Sequence, residues 1–131
     1  MPGILGRFQI LKTLGQGASC KVKLGRDVQT RQTVAVKIIK DNMDEKMRQL
    51  ILTEIQAMNH LKHPHVIQQI DYGTDIYHKD SGKKKEVSYI VLELAFGGEL
   101  FDYIAISGRF EEPFARYFFK QFLLGLEYCH E

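Results

Sequence analysis

Two short segments carry residue types that could handle a phosphate chain. The first, Gly15-Gln16-Gly17-Ala18-Ser19-Cys20-Lys21-Val22, sets two glycines one residue apart. Without side chains, backbone N–H groups can come close to phosphate oxygens, and glycine tolerates the positive φ of a tight turn. Alone, Gly-x-Gly describes a plain hairpin turn equally well. A dinucleotide fold requires a helix directly after its glycines, whereas Lys21-Val22-Lys23-Leu24 alternates as a strand does. A Walker-type loop is excluded too, because no Gly-Lys-Ser/Thr follows. The second segment, Val34-Ala35-Val36-Lys37, ends an apolar run on a lysine. In isolation that is an exposed edge lysine. The reading changes with Glu54, which stands in a helical stripe between Ile51 and Met58. A carboxylate buried there is costly unless paired, and a lysine on a sheet beneath the helix is its natural partner.

The elements that must position these residues follow from periodicity. Phe8, Ile10 and Leu14, then Val22 and Leu24, then Val34, Val36 and Ile38 alternate as three antiparallel strands, broken by glycine and polar turns. From Asp41 the period becomes helical through Met47, Leu50, Ile51, Ile55, Met58 and Leu61, with Asn42 and Glu45 placed as a capping box and an end near His63-Pro64. Two further strands are predicted around Val66 to Tyr72 and Val87 to Leu94. The polar stretch from Gly73 to Glu86 between them reads as a long solvated hairpin loop, expected to tolerate removal of Ser81 to Lys85. After Gly97-Gly98 a short helix spans Leu100 to Ile106 and stops at Gly108. A longer helix starts near Pro113, with Glu111 and Glu112 at the positive end of its dipole and an apolar stripe of Phe114, Phe118, Phe119, Phe122, Leu123 and Leu126.

Composition narrows the functional classes. With 131 residues, 44% apolar and 26% charged, the chain can bury one modest core. The net charge of +2 is spread along the chain, with Lys83, Lys84 and Lys85 the only dense cluster, so nucleic acid is not an expected partner. Cys20 and Cys129 lie far apart without metal-ligand spacing, which suits free thiols in a reducing compartment. His60, His63, His65 and His78 have no metal spacing with either cysteine, and core packing or surface exposure accounts for them. No apolar run approaches a membrane span, and Pro2 excludes N-myristoylation. A soluble cytoplasmic protein, with the nucleus also open to it, is the expectation.

The ordered set of Gly-rich loop, Val34-Ala35-Val36-Lys37, helix Glu54, His63-Pro64-His65 and Gly97-Gly98-Glu99-Leu100-Phe101 resembles a eukaryotic protein kinase, most similar to the calmodulin-dependent and AMP-activated serine/threonine group. The resemblance runs from about Phe8 to the last residue. It implies an α+β fold: a kinase N-lobe over residues 1–95, a five-stranded antiparallel sheet with one helix, and the first two helices of a C-lobe over 96–131. It also implies ATP as cofactor with magnesium, and protein serine or threonine as substrate. Lys37 would hold the α- and β-phosphates and Glu54 would orient it. Gly15 and Gly17 would lie over the phosphates, with Leu14, Val22 and Ala35 sandwiching the adenine. Leu92 would be the gatekeeper, Glu93 to Ala95 the hinge, and Glu99 the acid near the ribose where substrate arginines are also read. Taken simply as a residue, Glu99 is also a helix N-terminal acid complementing the dipole, and Asp102 a solvated helix residue.

Three departures from the family pattern bear on this reading. Cys20 replaces the loop's third glycine, setting a thiol beside Lys21. Gln69 takes a fourth-strand position where the family usually keeps an apolar side chain behind the helix. His130 falls where a kinase leads into its His-Arg-Asp loop, but the 131 residues contain neither that loop nor an Asp-Phe-Gly. On their own they are therefore expected to lack the catalytic aspartate and the metal ligands, and to be inactive. Two readings stay open: the ATP-binding part of a kinase, or a non-catalytic module that binds nucleotide or a partner. With later helices absent, the apolar stripe of 113–131 is expected to drive self-association.

Overall fold

The computed structural model describes residues 2–17, 20–40 and 45–131. Among the described residues, six strands and three helices occur in the order β1 (Gly3–Leu5), β2 (Phe8–Gln16), β3 (Cys20–Asp27), β4 (Thr33–Ile39), α1 (Glu45–Asn59), β5 (Gln69–His78), β6 (Lys84–Glu93), α2 (Leu100–Ser107) and α3 (Glu112–His130). The chain forms two compact units: Met1–His60 with Gln68–Leu94, and Leu61–Ile67 with Ala95–Glu131.

In the first unit the expected five-stranded sheet is a closed antiparallel barrel of six strands, ordered β1-β2-β3-β4-β6-β5. The sixth strand, β1, doubles back onto β2 and pairs Ile4 with His78 and Leu5 with Tyr77 on β5. Three residues are too few to show a period, so the closing strand left no alternation to read. Alternate residues of each strand turn inward, and Leu5, Phe8, Val34, Val36 and Val91 are almost wholly inaccessible there. Opposite Phe8 on the ladder stands Asp27, a buried carboxylate. It accepts N–H bonds from Gln29 and Thr30 and pairs with Arg7 Nε at 3.0 Å. Burial pushes its carboxyl upward, but the two N–H donors and the Arg7 guanidinium outweigh that and hold it below the usual carboxylate range.

The connection between β5 and β6 differs most from expectation. Strand pairing continues from Gly73 opposite Tyr89 to His78 opposite Lys84, leaving only residues 79–83 as the turn. That turn is closed by Lys79 N–H donating to the Lys83 carbonyl, with Gly82 at φ +89°. Tyr77 and Val87 packing into the barrel, and β1 pairing outside, hold as strand a stretch whose polar composition suggests a loop. Lys84 and Lys85 belong to the ladder, so deleting Ser81 to Lys85 removes paired residues and is not a neutral shortening. The strand start also shifts: Val66 donates its N–H to His63 in a turn, and pairing begins only at Gln69. The helix α1 ends at Asn59, earlier than His63, and Asn42 of the expected capping box lies outside the described residues.

In the second unit α2 and α3 begin and end close to where their caps predict, with Pro113 in the first turn of α3 and Gly108 ending α2 at φ +79°. A Cβ on Gly125 would stand 2.6 Å from the His65 carbonyl oxygen, so α3 meets residues 61–67 backbone against backbone. Tyr128 completes that contact: its hydroxyl accepts the Lys62 N–H at 2.9 Å and its ring stacks on His63. The apolar stripe from Phe114 to Leu126 is exposed, Phe114 and Phe122 by about three-fifths.

Candidate functional site

The ladder of β2, β3, β4 and β6 assembles the site. Residues directly opposite each other in antiparallel strands share a face. Gly15, Val22, Lys37 and Ile90 are therefore one row, and Leu24, Ala35, Leu92 and Gln69 the next. Because Val34 and Val36 fill the barrel, Ala35 and Lys37 lie on its outer face. These two rows thus carry small apolar side chains, Val22 and Ala35, beside the ammonium of Lys37.

That ammonium has a partner. Lys37 Nζ donates to Glu54 Oε1 at 3.2 Å, joining β4 to the middle of α1. The pair is not buried as expected: the side chains are 29% and 48% exposed. Only Ile55 of α1 is buried, because the helix lies against β5 along a narrow stripe and leaves Glu54 at its edge. A pair this exposed contributes about 0–1 kcal/mol. Its consequence is positional: Lys37 Nζ is held toward α1, where solvent and a ligand can still reach it.

The glycine loop departs from its expected geometry. Neither Gly15 nor Gly17 has positive φ. The turn is closed by the Gly17 N–H donating to the Cys20 carbonyl at 2.9 Å, and Lys40 Nζ donates to the Gly17 carbonyl. A Cβ at Gly15 would meet nothing within 4 Å. The absent side chain leaves open space over the row of Val22 and Lys37 and does not relieve backbone strain. Ala18 and Ser19 lie outside the described residues. Leu14 falls at a register shift between Thr13 and Gly15 and is 45% exposed.

At the end of β6, Glu93 is tied to Gln68 twice: its N–H donates to the Gln68 carbonyl and its carboxylate accepts the Gln68 N–H. Leu92 sits one residue before, opposite both Ala35 and Gln69. Ala95 and Glu99 belong to the second unit, where Glu99 precedes α2 without a side-chain capping bond and Asp102 lies in its first turn. Gln69 is buried, with neither amide atom hydrogen-bonded. Among the described residues no group of three or more His, Cys, Asp or Glu could hold a metal ion, and no helix is long and apolar enough to cross a membrane.

A loop of glycines, a sheet lysine and a helix glutamate, in this order and geometry, prompt comparison with known families. The description "Protein kinase domain" matches residues 8–131. The chain belongs to the protein kinase domain family. This kinase domain segment is 37% identical over 127 residues to a probable serine/threonine-protein kinase, MARK-C, of Dictyostelium discoideum, covering 96% of this chain and 16% of that protein. It is 40% identical over 128 residues to CBL-interacting protein kinase 9 of Oryza sativa subsp. japonica, covering 96% and 26%. Against a carbon catabolite-derepressing protein kinase of Candida tropicalis it is 42% identical over 128 residues, covering 96% and 19%. The chain thus spans about a quarter or less of the length of these relatives. The resemblance to the calmodulin-dependent and AMP-activated serine/threonine group agrees with these kinases.

The sequence pointed to Lys37, Glu54 and the apolar row but missed a second feature of the same sheet. Lys21 and Lys23, one residue apart on β3, lie on the inner face. Their i, i+2 spacing was visible, but which face it faced was not.

Proposed function

We propose that this chain is the ATP-binding part of a serine/threonine protein kinase, whose whole protein transfers the γ-phosphoryl of MgATP to protein serine or threonine. The observation that carries the reading is the 3.2 Å contact of Lys37 Nζ with Glu54 Oε1 on the open outer face of the barrel. In this reading Lys37 takes the α- and β-phosphate oxygens and Glu54 keeps its ammonium in place. Gly15 and Gly17 cover the phosphates, and Leu14, Val22 and Ala35 supply apolar contact for the base. Leu92 limits the depth of the pocket, backbone groups of Glu93 to Ala95 meet the base edge, and Glu99 serves the ribose and substrate arginines. ATP supplies the transferable phosphoryl group and, with magnesium, most of the charge to be managed. These residues offer no carboxylate pair for the metal and no base for the substrate hydroxyl, so the 131-residue polypeptide alone is inactive. A cytoplasmic or nuclear location, and self-association of the isolated chain through 113–131, belong to the same proposal.

Calorimetric titration of the chain with ATP tests it. Binding should be weak, nearly independent of magnesium, and reduced about tenfold or more in Lys37→Met, a loss of roughly 1.4 kcal/mol or greater. Tight magnesium-dependent binding, or equal binding by Lys37→Met, would contradict it. A non-catalytic binding module shares the site geometry. Phosphotransfer to a peptide by the whole protein, absent in its Lys37→Met variant, separates the two.

A further inference from the structure

The ladder between β5 and β6 stops unevenly. Leu92 pairs opposite Gln69, so the next rung would set Glu93 opposite Gln68. In an antiparallel ladder a hydrogen-bonded rung exchanges two bonds, each residue's N–H donating to the other's carbonyl. The first of these is made: Glu93 N–H donates to the Gln68 carbonyl at 2.8 Å. The returning bond is not, because the Gln68 N–H donates to Oε2 of the Glu93 side chain, at 3.0 Å. Gln68 is held in that position by its own amide, whose Nε2 donates to the Gln69 carbonyl at 3.1 Å.

The Glu93 carboxylate has thus taken an N–H that the ladder would have given to the Glu93 carbonyl. An ionised acceptor makes a stronger bond than a neutral one, so the side chain wins that competition. Two results follow from the exchange. The end of β6 stays tied to β5, and the Glu93 carbonyl receives no bond from Gln68. The place of that carbonyl matters, because β6 ends at Glu93, one residue past Leu92 in the row with Ala35 and Leu24. A backbone bond would hold the strand end without ordering a glutamate side chain, which loses rotamer freedom when fixed. What the carboxylate adds is an open acceptor at the edge of the apolar row.

We propose that the Glu93 carboxylate is a positioning residue that intercepts the Gln68 N–H and so keeps the Glu93 carbonyl open to a donor on the bound base, favouring a purine with an exocyclic amino group. The inference rests on the nucleotide reading above and adds to it the group that leaves the acceptor free. The carboxylate itself touches no ligand. Without it, the Gln68 N–H closes onto the carbonyl of position 93, and the amino group of the base loses its partner. A site arranged around one hydrogen bond discriminates against an analogue that lacks the matching donor. Loss of the carboxylate should therefore be felt through one atom of the ligand, and not through the whole of it.

Adenosine and purine riboside, which differ only by the amino group, should be titrated into the 131-residue chain and into its Glu93→Ala and Glu93→Gln variants, following backbone amide shifts. The parent is expected to bind adenosine about tenfold tighter than purine riboside. In Glu93→Ala that preference should collapse to about twofold or less, through loss of adenosine affinity alone. Glu93→Gln retains a side-chain oxygen able to accept the Gln68 N–H and should keep most of the preference. Equal weakening of both ribosides in Glu93→Ala is what a merely loosened strand end would produce, and it would overturn the proposal. So would a preference that persists in Glu93→Ala, or one lost to the same extent in Glu93→Gln. Binding of both ribosides by the parent without preference would also overturn it, while leaving the nucleotide reading in place. If the parent binds neither riboside nor ATP, both fall together.

Discussion

Replacing Gln69 with leucine should stabilise the barrel. The side chain is 7% exposed, and neither Nε2 nor Oε1 has a hydrogen-bond partner. It stands opposite Leu92 in a row with Ala35 and Leu24, so its amide is desolvated against apolar neighbours. An unsatisfied buried polar group costs about 1–3 kcal/mol, and a buried leucine gains about 1.5–3 kcal/mol over an exposed one. Against this, the change from an unbranched to a branched chain of similar size costs up to about 1.5 kcal/mol in repacking. The net expectation for Gln69→Leu is a gain of about 1–6 kcal/mol, at roughly 3–5 °C in Tm for each kcal/mol at this chain length. Urea unfolding followed by circular dichroism measures it, with the slope expected to stay constant because the buried surface barely changes. Gln69→Glu, which places a carboxylate in the same desolvated position, should lose stability near neutral pH. A leucine variant no more stable than the parent, or a glutamate variant that loses nothing, would show that the amide is satisfied or hydrated and refute the reasoning.

Gly125→Ala should destabilise the second unit by about 1–3 kcal/mol, because its Cβ would lie 2.6 Å from the His65 carbonyl oxygen. The helix-propensity gain of roughly 1 kcal/mol is smaller, so a variant more stable in urea than the parent would reverse the conclusion. For Asp27 the folded-state pKa lies below the unfolded value of 3.8. The stability it contributes is therefore present above that value and is lost as pH falls through the lower folded value. Asp27→Asn should be less stable than the parent at pH 7, with the difference shrinking toward pH 3; a constant difference from pH 7 to pH 3 would remove the carboxylate from the account. In light scattering, the isolated chain should exceed its 15.1 kDa monomer mass, and Phe118→Asp with Phe122→Asp should return it to monomer. A parent that stays monomeric at high concentration would mean that the stripe needs no partner.

The periods of the sequence determined which residues share a face. Val34 and Val36 alternate against Ala35 and Lys37, and Phe114 to Leu126 fall on one side of a helix; both facts are local, because side-chain direction follows from backbone geometry alone. The pairing of Lys37 with Glu54 was also legible, since a strand followed by a helix brings its lysine under the glutamate. Which face is inside, and how far each element runs, were decided by contacts between distant segments. The strand β1 closes the barrel by pairing with Tyr77 and His78, some seventy residues away, and that pairing holds as strand a stretch whose composition reads as loop. Closure also turns Lys21 and Lys23 toward the barrel mouth, although their alternation alone is equally compatible with solvent. Glu54 stays at the edge of α1 because only a narrow stripe of that helix meets β5. Burial is a property of neighbours, and neighbours are set by register and closure, which no single segment encodes.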